Sequence, residues 1–161
     1  MIPFKQFFNL REMMNGTYVE YKLSSLSAQN LLDFCAHIPD TVRPETMHCT
    51  VLYSRQPAPR AADHFYPKPV TARAKKWTVF PMQSGSKCLV LEITSEGFFE
   101  ALHTDLMVQY GATHDYPSYL PHITVSYDYK GGELPSEVPT FDLVFDEVNV
   151  KPLDPEFKPG K

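Results

Sequence analysis

Two stretches of the chain carry nearly the same text, His48-Cys49-Thr50-Val51 and His122-Ile123-Thr124-Val125. An imidazole titrates near neutrality, so of two facing rings one can be neutral while the other is protonated. The neutral ring can take a proton from an attacking hydroxyl, and the charged ring can give one to the departing oxygen. Positioned transfer of this kind contributes about 10²–10⁴-fold. The hydroxyls of Thr50 and Thr124 can hydrogen-bond non-bridging phosphate oxygens as charge builds on them. This chemistry suits a phosphodiester and asks for no metal. Which ring is acid and which is base stays open. A histidine two residues before a threonine is a weak signal by itself, and the plain alternative is two polar groups on exposed sheet faces.

What raises the pair above chance is the set of elements that must carry it. On a strand, residues i and i+2 share a face. Over 46–54 this sends Met47, Cys49, Val51 and Tyr53 to an apolar core and turns His48 and Thr50 the other way. Over 121–127, Ile123, Val125 and Tyr127 go to the core while His122 and Thr124 project oppositely. Each motif strand closes a β-α-β unit. Strand 17–23, a helix capped at Ser27 and strand 46–54 match strand 87–94, a helix capped at Ser95 and ended by Gly111, and strand 121–127. Two copies of one unit, about 17–54 and 87–127, tend to pack about a pseudo-two-fold axis with equivalent strands across a groove. The expected architecture is a single α+β domain over 1–161, with two pseudo-symmetric lobes and antiparallel sheets around a central cleft.

The remaining segments frame this core. Residues 3–14 place Phe4, Phe7, Phe8 and Met14 near helical spacing, and 55–69 form a proline-bearing loop. Strand 70–80 joins 87–94 through a turn at Gln83-Ser84-Gly85-Ser86. A last strand covers 141–150, followed by an irregular tail. Its apolar faces change phase between Phe145 and Val148, so a bulge near Asp146 is expected, swinging Glu147 and Asn149 toward the cleft.

The net charge of −4 argues against a protein that tracks long nucleic acid by its backbone. Basic residues nevertheless gather between Arg55 and Lys76, which suits a small anionic ligand or an ordinary solvated loop. Three cysteines, widely spaced and without C-x-x-C, fit free thiols in a reducing compartment. No signal core or membrane-length apolar run is present, so a soluble, cytoplasmic protein is expected. No carboxylate–histidine spacing suggests a metal site, and no cofactor motif is found.

Further residues are candidates for holding substrate. Tyr18 lies on the polar face of its strand and could stack on a base, a contact of about 1–3 kcal/mol. Trp77, the single tryptophan, follows Lys75-Lys76 and is either a stacking platform or core. Glu147 could hydrogen-bond a base edge, orient a catalytic histidine, or be a solvated acid. Tyr116 and Tyr119 precede the second motif and could help cover the site. His37, His64, His103 and His114 read as surface histidines.

With these residues in hand, the paired H-x-T-Φ strands (Φ apolar) resemble the two-histidine, or 2H, phosphoesterases, over about 17–150. That group includes RNA 2′,3′-cyclic and 2′,5′-phosphodiesterases. The run Gly16-Thr17-Tyr18-Val19-Glu20, the text 47–54 and Trp77 make the chain most similar to the anti-CBASS nucleases of tailed phages. The resemblance implies cleavage of 3′-5′ bonds in cyclic di- and trinucleotide immune signals such as 3′,3′-cGAMP. The ribose 2′-OH would attack its own 3′-phosphate, with host CBASS defence evaded as the outcome. The competing expectations are an RNA-end phosphodiesterase and a non-catalytic nucleotide-binding sponge.

Overall fold

The computed structural model describes residues 4–6, 15–65, 68–114, 118–131 and 134–153. In chain order these form β1 (Phe4–Gln6), β2 (Thr17–Leu23), α1 (Ser25–Phe34), β3 (His48–Ser54), β4 (Val70–Pro81), β5 (Lys87–Thr94), α2 (Phe98–Tyr110), β6 (His122–Ser126) and β7 (Leu143–Pro152). Short 3₁₀ turns at Pro44–Thr46 and Pro59–His64 flank β3. The sheet runs β3-β2-β7-β4-β5-β6, antiparallel throughout, with β1 added parallel to β7. Although β3 and β6 end this order, they come back into contact with each other. The two expected β-α-β units are therefore present, and their motif strands meet.

Alternation on β2 buries Val19, Tyr21 and Leu23. Helix α1 adds Ala28 and Leu31, and α2 adds Phe99, Leu102 and Leu106. Phe99 is fully buried, edge-on to Tyr21 at 5.4 Å and to Phe145 at 5.2 Å, geometry that aromatic quadrupoles favour. This ring ties the helix of the second unit to strands β2 and β7.

Several local expectations change. The helix expected over 3–14 gives way at Phe4–Gln6 to a strand, and the rest of that segment lies outside the described residues. The cause is an open edge: β4 pairs only with Leu143, Val144 and Phe145 of β7, leaving Val148–Val150 to bond β1. Helix α1 is capped by Ser24, whose Oγ accepts the Ser27 N–H at 3.1 Å, rather than by Ser27. Ser27 is buried and its Oγ accepts from Val144 N–H at 2.9 Å, pinning α1 to β7. The N-cap of α2 is Gly97 and not the expected Ser95, although Ser95 Oγ accepts the Phe99 N–H at 3.2 Å; α2 ends at Gly111 in the left-handed region, φ 64°.

Candidate active site

The period-2 reading of the motif strands holds only as far as each threonine. In β3, Glu20 pairs Thr50 but its neighbour Val19 pairs Leu52, so Val51 is the extra residue of a β-bulge. In β6, Val90 pairs Thr124 and Leu89 pairs Ser126, so Val125 is bulged in the same place. A bulge shifts alternation by one, and it moves Tyr53 and Tyr127 from the expected core face to the face of the histidines. Tyr53 pairs Tyr18 across β2 and β3, and both Tyr53 and Tyr127 line one cavity of about 460 Å³ with His48, Thr50, His122 and Thr124. No sequence signal marks these two tyrosines, because Val51 and Val125 read as ordinary core residues.

The two imidazoles are locked alike. His48 Nδ1 lies 2.7 Å from the Thr46 carbonyl oxygen, and His122 Nδ1 lies 2.7 Å from that of Leu120. A carbonyl only accepts, so each Nδ1 carries the proton and each Nε2 is left to exchange one with a ligand.

Their surroundings differ. Behind His48 sits Glu20, only 6% exposed, with Oε2 at 3.7 Å from His48 Nε2. Burial works to raise the Glu20 pKa, but the His48 charge, the Asn149 amide, Lys151 and the Tyr18 hydroxyl together hold it below the ordinary carboxylate value. Asn149 Nδ2 donates to Glu20 at 3.0 Å and to Glu147 at 3.3 Å, and Lys151 Nζ lies 3.5 Å from Glu20. Tyr18 OH lies 2.8 Å from Thr50 Oγ1 and donates to Glu20 at 3.2 Å. His122, by contrast, has the Phe80 ring edge-on at 5.2 Å, in a wall continued by Met82, Cys88 and Val90. Desolvation there, together with His48, outweighs the Leu120 carbonyl and Glu92 and holds His122 below the usual histidine value. Glu92 itself is shared with Lys76 at 3.7 Å and Thr78.

The other expected site residues fall as follows. Tyr18 lines the cavity, but its hydroxyl is committed to Thr50 and Glu20 and Lys151 Nζ lies over its ring at 5.3 Å. Trp77 is not a platform: it is 6% exposed within the main core, and its Nε1 donates to the Glu137 carbonyl at 2.7 Å. A bulge at Lys75, between the Ala74–Ile93 and Lys76–Glu92 pairs, leaves both lysines exposed and turns Trp77 inward. The bulge near Asp146 is present, since Lys22 pairs Glu147 while Leu23 pairs Phe145. Glu147 connects to His48 through Asn149 and Glu20 and is not among the residues that line the cavity. Tyr119 lines the cavity and donates to the Thr50 carbonyl at 2.8 Å, whereas Tyr116 lies outside the described residues. His103, expected on the surface, is buried, and His114 forms part of the cavity wall. Cys49 is fully buried and its thiol is pushed up to about 12 by desolvation, so it stays protonated. Among the described residues no group of three His, Cys, Asp or Glu side chains could hold a metal ion, and no helix is long and apolar enough to cross a membrane.

Some known proteins resemble this chain in sequence, and others resemble it in fold. A family model described as anti-CBASS protein Acb1 matches residues 15–160. The anti-CBASS protein Acb1 of Vibrio phage KVP40 is 35% identical over 117 residues, covering 70% of this chain and 73% of that protein. Its counterpart in Enterobacteria phage T4 is 34% identical over 133 residues, covering 80% and 78%. Among solved structures, E. coli LigT complexed with 3′-AMP superposes with a TM-score of 0.61 at 13% identity, over 83% of this chain and 85% of that one. The protein TT0787 of Thermus thermophilus gives 0.59 at 14% identity, over 83% and 86%. At such identities the structural likeness concerns the fold.

Proposed function

Because the chain belongs to the anti-CBASS protein Acb1 family, we propose that it is a phosphodiesterase that opens cyclic di- and trinucleotide immune signals by acid–base chemistry between His48 and His122. The observation that carries this reading is the duplicated lock: two imidazoles, each with Nδ1–H bound to a carbonyl two residues upstream, in one cavity. Its volume of about 460 Å³ falls in the range of small-molecule sites.

In the proposed reaction the 2′-OH of one ribose attacks its own 3′-phosphorus. The bond to the neighbouring 5′-oxygen breaks, leaving a 2′,3′-cyclic phosphate and a 5′-hydroxyl. His122, kept neutral by its apolar wall, takes the 2′-OH proton on Nε2. His48 supplies a proton to the leaving 5′-oxygen, with the Glu20 carboxylate beside it to offset the imidazolium charge. Thr124 donates to a non-bridging oxygen, and Thr50 does so once Tyr18 OH gives its proton to Thr50 Oγ1 instead of to Glu20, which frees the threonine proton for the phosphate. Glu147 and Asn149 serve at one remove by fixing Glu20.

Incubation with 3′,3′-cGAMP, a cyclic trinucleotide and an oligonucleotide ending in a 2′,3′-cyclic phosphate, all in excess EDTA, tests the reading. Linear products from the cyclic substrates are expected. Cleavage of the oligonucleotide end alone would move the assignment to RNA-end processing. Binding of 3′,3′-cGAMP without turnover would make the protein a sponge, and activity abolished by EDTA would favour a metal-dependent nuclease.

A further inference from the structure

We propose that His103 is a positioning residue for this reaction, its Nδ1–H holding the β3 bulge in the register that turns Thr50 and His48 into the cavity. The inference rests on the function proposed above. The bulge at Val51 sets the two halves of β3 against each other, so that His48 and Thr50 before it and Tyr53 after it all face the cavity; a one-residue slip would exchange the faces of one half. β3 ends the sheet order, so one row of its carbonyls has no further strand to bond.

Two side chains of the second β-α-β unit take that place. His103 of α2 bonds the Val51 carbonyl at 2.7 Å, and Tyr119 OH donates to the adjacent Thr50 carbonyl at 2.8 Å. The two rings stack face to face, with centroids 4.2 Å apart and planes 9° apart, so each fixes the other. His103 is 7% exposed, and burial lowers its pKa against the opposing pull of the Val51 carbonyl. Because the carbonyl accepts, the neutral ring keeps its proton on Nδ1.

The second motif has the reciprocal clasp. The Val125 carbonyl, at the β6 bulge, accepts the backbone N–H of Val42 from the first unit at 2.8 Å. Each motif bulge is thus gripped by the opposite unit, one by main chain and the other by a histidine. The His103 clasp can be removed by changing a side chain, whereas the Val42 clasp yields only to proline, which also constrains the backbone.

The test compares His103→Phe, which keeps an aromatic ring for Tyr119 and removes the donor, with His103→Asn, whose amide can reach where Nδ1 stood. Tyr119→Phe and a destabilised control on the same helix, Leu106→Ala, complete the set. With 3′,3′-cGAMP, kcat of His103→Phe and Tyr119→Phe should fall about tenfold or more while KM stays within about threefold, because misplaced groups cost rate before binding. His103→Asn should recover most of kcat, and Leu106→Ala should keep it below its melting temperature. Equal kcat in His103→Phe and wild type, no recovery in His103→Asn, or an equal loss in Leu106→Ala would overturn the proposal. Should His103→Phe not fold, Tyr119→Phe with unchanged kcat does the same. If the wild type turns over no cyclic nucleotide, the proposed function fails first. The clasp is then judged by the imidazole ¹⁵N shifts of His48, and their identity in wild type and His103→Phe would overturn it.

Discussion

The chemistry of the site depends on making two identical side chains unequal. His48 and His122 share the same Nδ1 lock, and a carboxylate stands 3.7 Å from one ring while an apolar wall desolvates the other. His48→Ala and His122→Ala should each lower turnover by about 10²-fold or more, read from initial rates under saturating substrate. Since His122 sits below the ordinary histidine value, its proposed role as the neutral base predicts that kcat holds as pH drops past 6.5 and declines only at lower pH. An acid-side decline, with falling pH, centred above 6.5 would contradict that role. Glu20→Gln removes the charge behind His48 and should reduce kcat several-fold; it should also lower the melting temperature, because its partners hold the buried carboxylate below its ordinary pKa. Trp77→Phe should leave kcat within about twofold and cost stability, because the indole is core and its N–H is bonded to Glu137.

At the scale of elements, both motif strands, both helices and the pairing of the two units follow from alternation, helical periodicity and the repeated text, although the N-caps fall at Ser24 and Gly97 rather than at Ser27 and Ser95. The site's outline is therefore legible in the residues themselves. What stays hidden lies in the bulges. Val51 and Val125 are β-branched apolar residues that fit a plain strand, so nothing local announces the extra residue that re-aims Tyr53 and Tyr127. The bulge at Asp146 can be read because the apolar face itself changes phase there, from Phe145 to Val148. His103 is invisible for a related reason: its partner is a carbonyl far along the chain, and no spacing on α2 reports it. Gly16 belongs to this scale too. It holds φ at 125°, and a Cβ there would lie 2.3 Å from the Ser54 carbonyl oxygen. Gly16→Ala should lose at least about 1–3 kcal/mol by chemical denaturation, since the left-handed backbone alone costs that much.

For the whole molecule, the open order β3-β2-β7-β4-β5-β6 bends until its ends touch, and that closure is what places one motif from each unit around a shared cavity. Phe99 lies at the join, against Tyr21 and Phe145, and Phe99→Ala should cost about 3–5 kcal/mol in a single cooperative unfolding transition. Buried His103 and half-buried His122 are both held below the usual value of 6.5, so the folded state binds fewer protons than the unfolded chain. Their contribution is present above that pH and is lost as pH falls toward the folded values, so the melting temperature should drop between about pH 7 and pH 5.

The division of labour between the two rings is open to one direct measurement. Replacing the leaving 5′-oxygen of 3′,3′-cGAMP with sulfur gives a leaving group that departs without a proton. Cleavage of this analogue should be largely restored in His48→Ala, which lacks the acid, and should remain slow in His122→Ala, which lacks the base. Rescue of neither variant, or cleavage of unmodified 3′,3′-cGAMP at wild-type rates by both, would contradict the account.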